Sequence, residues 1–368
     1  KVSNYSYNGE KIMDRYDPSN PSIKWQRQEN RNIGFDASLL NNRINLVVNY
    51  YDNDTRNLLD DKKIAASTGR LSVAANVASV NNRGWEISLR TLNARTTDFS
   101  WVTSVNFTKN KDKVTETYYQ DLSEVSASTN STFESIYNLY IQGRPVKAFY
   151  GYKYAGVDPY TGNSLAYVDG FDDDGNRLGT LTPEGKYVYN MDNDLTTQLA
   201  NSSRGYLGRS DPPITGGFTT QFNYKRFSLF AQFTYMTGHL ARSFQYYVSG
   251  GTTSASARNL LKIEANRWRK PGDMTDVPKY GTSRTEYLYQ LFDFRFEKGD
   301  YLKCNNISLG YNLDPALCAK LYITRARLNL NMANVFTLTK FRGIDPETKG
   351  AFTYPSARTY SFTLSIGI

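Results

Sequence analysis

Segments in which apolar and polar side chains alternate residue by residue recur along this whole sequence. In the last of them, Tyr360–Ile368, every second residue is apolar and the residues between are small or polar. Successive side chains of a strand point to opposite faces, so each segment predicts a β-strand with one apolar and one polar face. The eleven predicted strands are Arg31–Leu39, Ile44–Tyr50, Trp85–Arg90, Phe99–Phe107, Ala148–Asp158, Ser164–Asp169, Phe218–Tyr224, Phe227–Tyr235, Asn306–Leu313, Arg325–Met332 and Tyr360–Ile368.

The connections between these strands alternate between short turns and long polar stretches. Five are short and five are long, and the long ones span roughly 25 to 60 residues. A single-chain outer-membrane barrel has short periplasmic turns and long extracellular loops, whereas a soluble sandwich or propeller gives no reason for this alternation. The sequence therefore predicts an all-β protein, an antiparallel transmembrane β-barrel in the cell outer membrane that crosses the membrane many times.

Composition agrees with a barrel and excludes other classes. No run in the 368 residues approaches the roughly 18 apolar residues of a membrane-spanning helix, so a helical membrane protein is excluded. Aromatic residues reach 14%, and Tyr is a residue that favours membrane interfaces. The net charge is +9, but the basic residues form no consecutive block, so we expect no nucleic-acid partner.

An odd number of strands does not match a complete bacterial barrel, which has an even number and no open edge in lipid. We therefore expect this sequence to form part of a larger barrel. Residues 1–30 are expected as an extracellular loop, and residues 31–368 as strands joined by long extracellular loops. For an exported protein the leader peptide is expected to lie outside this sequence, which opens on a polar stretch from Lys1.

A series of short motifs lies along nearly the whole chain. In order, they are Asn20-Pro-Ser-Ile-Lys-Trp25, Asn81-Asn-Arg-Gly-Trp-Glu86, Phe149-Tyr-Gly-Tyr152, Gly156-Val-Asp-Pro159, Pro213-Ile-Thr-Gly-Gly217, Arg267-Trp-Arg-Lys-Pro-Gly-Asp273, Gly299-Asp-Tyr-Leu-Lys303, Asn306-Ile-Ser-Leu-Gly-Tyr311 and Asp345-Pro-Glu347. Together they resemble the C-terminal half of SusC/RagA-type TonB-dependent transporters of the Bacteroidetes outer membrane.

The resemblance implies a 22-stranded barrel, of which about eleven strands would form the C-terminal half. It also implies an N-terminal part, with the plug domain and the first barrel strands, that is absent from these residues. The implied function is active import of oligosaccharides or oligopeptides, with a SusD-like surface lipoprotein, the TonB complex and outer-membrane lipid as partners. Two other classes stay open, a passive porin-like channel and a surface adhesin.

No catalytic constellation or cofactor motif is visible, so we expect no enzyme and no cofactor. His239 is the only histidine in the sequence. A Ser–His–Asp arrangement would have to use it, and a zinc site would find too few histidine and cysteine ligands. Asp172, Asp174 and Asn176 lie in a glycine-containing segment of the kind that binds calcium. That segment lacks the bidentate glutamate at the usual spacing, so a solvated acidic loop is the favoured interpretation. Cys304 and Cys318 are expected to be free thiols.

The long loops contain the candidate substrate contacts. Tyr246, Tyr247 and Trp268 offer aromatic faces, and Arg269 offers a planar guanidinium, which suits sugar rings or peptides. The alternative is that these side chains pack the loops against themselves.

Our first prediction follows from the open edges of an eleven-stranded sheet. Each unpaired backbone group in hydrocarbon costs several kcal/mol, so the strands Arg31–Leu39 and Tyr360–Ile368 need partners. Residues 1–368 expressed alone in detergent should therefore aggregate, as gel filtration would show. Recovery of a monomeric, protease-resistant, heat-modifiable barrel from this sequence alone would contradict the prediction.

Overall fold

A nine-stranded antiparallel sheet dominates the computed structural model of this chain. The structure describes residues 2–7, 10–13, 20–64, 67, 72–118, 141–168, 180–183, 185–190, 205–242, 262–279, 292–347 and 354–368. In chain order the strands are β1 (Val2–Tyr7), β2 (Glu10–Met13), β3 (Arg27–Leu39), β4 (Ile44–Lys63), β5 (Ser72–Arg95), β6 (Phe99–Thr117), β7 (Ala148–Gly151), β8 (Tyr154–Val157), β9 (Ser164–Val168), β10 (Thr180–Leu181), β11 (Tyr187–Asn190), β12 (Gly205–Arg209), β13 (Ile214–Tyr224), β14 (Phe227–Thr237), β15 (Leu240–Arg242), β16 (Phe296–Lys298), β17 (Tyr301–Asn312), β18 (Arg325–Thr339) and β19 (Thr359–Gly367).

Helical structure is sparse in the described residues. One α-helix, α1, spans Pro315–Lys320, and 3-10 turns occur at Lys262–Asn266 and Asp293–Arg295. Among the residues that the structure describes, no helix has the length and hydropathy needed to cross a membrane.

The main sheet has the order β19-β18-β17-β14-β13-β6-β5-β4-β3, and every neighbouring pair is antiparallel. Nine of the eleven predicted strands are therefore confirmed as members of one antiparallel sheet. The connections between these nine strands still alternate. The turns at residues 40–43, 96–98, 225–226 and 313–324 lie at one end of the sheet, and residues 64–71, 118–213, 238–300 and 340–358 join the strands at the other.

The predicted strands Ala148–Asp158 and Ser164–Asp169 lie outside the main sheet, which corrects that part of the prediction. β7 pairs with β12 in a two-stranded sheet, and β8 and β9 belong to a four-stranded sheet with β10 and β11. β7, β8 and β9 are only 4, 4 and 5 residues long, whereas a membrane-spanning strand needs about 9 to 11. Alternation alone did not reveal this, because a short strand in a packed loop shows the same pattern.

Two predicted loops contain regular structure. β4 and β5 continue as a paired hairpin to Lys63 and Ser72, across most of the stretch expected as a long loop. Residues 1–30 contain the β1–β2 hairpin and the beginning of β3 at Arg27. Part of the β4–β5 hairpin is buried, since Ala75, Val77 and Ala78 of β5 are at most 7% exposed and Leu58 of β4 packs against them.

The register gives the main sheet one apolar face and one polar face. Directly paired residues on the apolar face include Phe218 with Phe233, whose rings stack at 4.5 Å, and Leu328 with Leu364. On the polar face Arg327 pairs with Ser365, in the same two strands. The apolar face is uncovered, since side chains such as Phe362 are 70% exposed, and lipid is the environment that would cover an apolar surface of this extent.

Two motif glycines make room for tyrosine rings from the neighbouring strand. Tyr51 lies across Gly84 and its hydroxyl donates a hydrogen bond to Asn110 Oδ1 at 2.8 Å. On the opposite face Tyr235 lies across Gly216 in the same way. A methyl group at either glycine would meet the tyrosine ring and a backbone carbonyl of the next strand. This packing explains why both motifs contain glycine inside a strand.

An ion pair joins two neighbouring short turns. Arg226, in the β13–β14 turn, pairs with Asp314, which precedes α1 and also accepts a hydrogen bond from the Ala316 N–H at 2.8 Å. The hydrogen bond from Arg226 holds the pKa of the Asp314 carboxyl below its ordinary value. The pair is partly exposed, so its contribution is to the position of the turns more than to overall stability.

The second prediction concerns Gly84. In the intact protein that contains this chain, Gly84→Ala should lower the free energy of unfolding by about 1 to 3 kcal/mol, because the methyl group overlaps the Tyr51 ring and the Lys109 carbonyl. The measurement is the temperature at which the folded band disappears in a heat-modifiability gel. Gly205→Ala in β12 is the matched control, since no atom lies within 4 Å of the added methyl group. Equal behaviour of the two variants would contradict the proposed overlap.

Candidate functional site

The most deeply buried aromatic side chains of the described residues lie in the long connections. We call residues 141–168, 205–213, 262–279 and 292–300 the loop assembly. Phe149, Tyr150, Tyr152 and Phe292 are all at most 5% exposed, and the Phe149 ring contacts the Phe296 ring at 4.6 Å. Burial raises the pKa of the Tyr150 phenol well above its ordinary value. The Phe149–Tyr152 motif thus forms the core of a packed surface structure.

A tight turn within this assembly is held by the Arg267–Asp273 motif. The Trp268 indole N–H donates to the Pro159 carbonyl at 2.9 Å, and the Gly272 N–H donates to the same oxygen at 2.8 Å. The Trp268 ring lies against Gly162, whose φ of +74° favours glycine. These contacts join residues more than 100 positions apart within the loop assembly.

Asp158 stabilises the same turn through hydrogen bonds to its side chain. Its carboxylate accepts hydrogen bonds from the Thr161 hydroxyl at 2.6 Å and from the Tyr160 N–H at 2.9 Å. Burial acts to raise the pKa of this carboxyl, but these hydrogen bonds outweigh burial and hold the pKa below its ordinary value. The Gly156–Pro159 motif therefore specifies a turn that stays ionised and hydrogen-bonded at neutral pH.

Asp112 tethers the loop assembly to the main sheet. In β6 it accepts a hydrogen bond from Arg209 Nη2 at 2.5 Å and another from the Val146 N–H at 2.9 Å. The side chains of Asp112 and Arg209 are only 17% and 14% exposed, so this pair is protected from solvent. Nearby, the Arg144 guanidinium lies 4.5 Å from the centre of the Tyr206 ring.

A second tether connects the Gly299–Lys303 and Asp345–Glu347 motifs. Lys303 is 6% exposed and forms an ion pair with Glu347. Asp300 accepts a hydrogen bond from the Gly238 N–H at 2.6 Å, and its carbonyl accepts one from the Thr339 hydroxyl at 2.8 Å. These motif residues therefore fix the long loops to the ends of β14, β17 and β18.

The polar face of the main sheet contains a groove of about 400 Å³. Its polar side chains come from five adjacent strands, and Arg90 is the one charged residue among them. They are Asn45, Ser88, Arg90, Ser104, Asn106, Thr219, Gln232 and Thr234. Amide and hydroxyl groups both donate and accept hydrogen bonds, so this lining suits an uncharged polar chain such as a sugar or a peptide backbone.

The structure places the predicted site residues as follows. Trp268 is half-buried, with the contacts within the loop assembly given above, and Arg269 is exposed, with Nη2 donating to the Ala265 carbonyl at 3.0 Å. Their role as substrate contacts stays a prediction. The other candidates, Tyr246, Tyr247, Asp172, Asp174 and Asn176, lie outside the described residues.

Two further outcomes concern the chemistry of the described residues. No group of three or more His, Cys, Asp or Glu side chains in this part of the chain could hold a metal ion. Cys304 and Cys318 are free and buried, as predicted. The groove was not predicted from the sequence, although its signal is the run of amide and hydroxyl residues at the polar positions of consecutive strands.

Comparison with known proteins shows similarity to several TonB-dependent receptors. The chain is 25% identical to TonB-dependent receptor P3 of Formosa agariphila, over 95% of this chain and 35% of the receptor. It is 29% identical to TonB-dependent receptor P39 of the same organism, over 89% of this chain and 33% of that protein. It is 25% identical to TonB-dependent receptor SusC of Bacteroides thetaiotaomicron, over 94% of this chain and 32% of SusC. No protein-family model matches.

Among solved structures, the chain is similar to the RagAB peptide transporter. The TM-score is 0.74 at 28% identity, and the match covers 100% of this chain and 38% of that one. This chain is related to the SusC/RagA-type TonB-dependent receptors. It spans about one third of the length of the curated relatives given above.

The relationship to SusC/RagA-type receptors confirms the resemblance inferred from the motifs, and the structure adds the physical reason for several of the motifs. Gly84 and Gly216 accommodate tyrosines, the Arg267–Asp273 motif holds the turn at Pro159, and Lys303 pairs with Glu347. The contact of Gly216 with Tyr235 lies within the β13–β14 hairpin, and the other contacts join segments farther apart in sequence. We infer that the motifs specify the shape of the barrel and its loops.

The third prediction tests the structural role of Trp268. In the intact protein that contains this chain, Trp268→Ala should expose the turn at Pro159–Gly162, because it removes both the indole hydrogen bond and the ring that covers Gly162. We expect a loss of about 2 kcal/mol in local stability, measured as faster limited proteolysis within the loop assembly. Trp25→Ala is the control, since Trp25 is 90% exposed. Unchanged cleavage of the Trp268 variant would count against the packing role.

Proposed function

We propose that this chain is part of the barrel wall of an outer-membrane, TonB-dependent active importer. The observation that supports the proposal best is the nine-stranded sheet with an apolar outer face and a polar groove on its other face. A passage through a membrane needs this division, because lipid contacts one side of the wall and solute the other. The similarity to SusC and to the RagAB peptide transporter supplies the energised, TonB-dependent class.

The substrates that we propose are oligosaccharides or oligopeptides. The groove lining is rich in amide and hydroxyl groups and contains a single charge at Arg90, so it can bind a polar chain without requiring a charged ligand. The name of the RagAB structure favours peptides for that protein. The groove lining by itself suits both oligosaccharides and oligopeptides, so the uptake assay includes both.

The proposed partners complete the importer. The plug and the remaining strands come from the rest of the receptor, since this chain matches about a third of its relatives. A SusD-like surface lipoprotein would meet the loop assembly, whose packed aromatic core gives it a defined shape before any partner binds. The TonB complex would supply energy from the periplasmic side, and outer-membrane lipid would cover the apolar face.

The fourth prediction is that uptake through the intact receptor requires energy. Labelled oligopeptides and oligosaccharides should enter cells that produce the receptor, and uptake should stop in a TonB-deficient strain or after addition of a protonophore. Solute flux that continues without TonB would support a passive channel. Surface binding of ligand with no uptake in either strain would support an adhesin.

The groove is tested in the same assay by one pair of variants. Thr219→Leu places an apolar group in the groove and removes a hydroxyl, so half-maximal uptake should need about tenfold more substrate. Thr363→Leu is the matched control, because Thr363 lies in β19 on the polar face but outside the groove. Equal uptake by the two variants would exclude the groove from the substrate path.

A further inference from the structure

Four basic residues form a patch on the apolar side of the main sheet, just beyond its apolar band. We call Arg83, Lys109, Lys111 and Lys113 the basic patch. In β6 the three lysines are two residues apart, in phase with Val105 and Phe107 of the apolar face. In β5, Arg83 is two residues from Trp85 and pairs directly with Lys111. Alternation in a strand therefore places all four cations on the outward face.

The height of the basic patch follows from strand geometry. The apolar positions of β6 begin at Phe99, and Lys109 is ten residues farther along the strand. At about 3.3 Å per residue and a tilt of about 40°, Lys109 lies roughly 25 Å above Phe99, which is the height of the apolar band of an outer-membrane barrel. Tyr50 and Trp85, whose rings are 4.9 Å apart, lie at the same level as an aromatic girdle.

Asp52 is the cross-strand neighbour of Arg83 on the same face and offsets part of its charge, whereas among the described residues no acidic residue is the register partner of Lys109, Lys111 or Lys113. Asp52 and Asp54 both accept hydrogen bonds from Asn81 Nδ2, at 2.6 and 2.9 Å. Glu29 forms ion pairs with Arg27 and Arg31. Within the part of the chain that the structure describes, none of the four patch cations forms an ion pair, and all four are exposed.

Direct opposition of Arg83 and Lys111 is unfavourable in an isolated sheet, because like charges in cross-strand pairs repel each other. An anion at this position would remove the repulsion. The groups found just above the hydrocarbon of a membrane are lipid headgroups, whose phosphates bind Lys and Arg side chains.

We propose that the basic patch binds the phosphate groups of outer-leaflet lipids and so holds this side of the barrel in the membrane at a fixed height. The proposal rests on the membrane location in the proposed function, but it does not depend on energised import. Its ligand is a lipid with a phosphorylated headgroup, and free phosphate is an outcome of the test.

The fifth prediction uses the double variant Arg83→Gln/Lys111→Gln of the intact receptor in neutral detergent. Short-chain phosphatidic acid should raise the unfolding temperature of the unmodified receptor, because a ligand that binds the folded state stabilises it. In the double variant this rise should be lost and lipid affinity should fall at least about tenfold. Without lipid, the unfolding temperature of the variant should change little, since the substitution removes both the like-charge opposition to Lys111 and the opposite charge beside Asp52.

Three controls make the result specific. Lys225→Gln/Lys320→Gln removes two exposed cations at the short-turn end of the barrel and should keep the full lipid effect. Diacylglycerol with the same tails, and inorganic phosphate at the same concentration, should each give little stabilisation. The proposal is wrong if phosphatidic acid still stabilises the patch variant, or if the control variant loses this stabilisation equally. It is also wrong if diacylglycerol or inorganic phosphate raises the unfolding temperature as much as phosphatidic acid does. Uptake without TonB would refute active import and leave this measurement unaffected.

Discussion

Backbone hydrogen bonding across the nine strands is the constraint on which the rest of this structure depends. An unpaired amide or carbonyl in hydrocarbon costs several kcal/mol, so each strand within the membrane must be paired along its length. The pairing also fixes the faces, because a slip of one residue would move Phe218 and Phe233 to the polar side. Glycines at positions 84 and 216 keep the register while letting tyrosine rings lie flat across the sheet.

The loop assembly and the main sheet differ in where their apolar side chains lie. In the loop assembly the aromatic residues are buried among themselves, as in a water-soluble protein, and Phe149, Tyr152 and Phe292 are almost inaccessible. In the sheet the apolar side chains face outward and the polar ones inward. One chain thus contains two arrangements of apolar residues, joined by polar contacts such as Asp112 with Arg209. Because of this division, the loops keep a defined shape in water while the sheet presents apolar side chains to lipid.

Position along a strand changes what each face requires. In the apolar band a strand needs alternation, and above that band charged residues also occupy the outward face. The β4–β5 hairpin shows the transition, since Val48 and Ile87 pair on the apolar face and Asp52 and Arg83 occupy the same face two rows farther on. We propose that the charged residues at this level meet the lipid headgroups, whereas the groove on the opposite face lies lower, at the level of Leu89 and Val105.

The sequence by itself determined the class of fold, nine of the eleven predicted strands and the alternation of their connections. It could do so because lipid and water contact opposite faces of each strand. Apolar and polar residues therefore alternate along the strand, as in Tyr360–Ile368. The motifs also sufficed to reveal the resemblance to SusC/RagA-type receptors. Sequence alternation could not separate β7 and β9 from membrane strands, because burial in a loop and exposure to lipid select the same apolar residues.

Only the tertiary structure decided what the loops and motifs do. The contact of Trp268 with Pro159 and the pairing of Lys303 with Glu347 join segments whose separation in the chain gives no hint of proximity. The groove likewise exists because five strands bring side chains such as Asn45 and Thr234 to one face at one height. Such sites depend on register between strands, and register is set by pairing across the whole sheet, which no single segment of sequence contains.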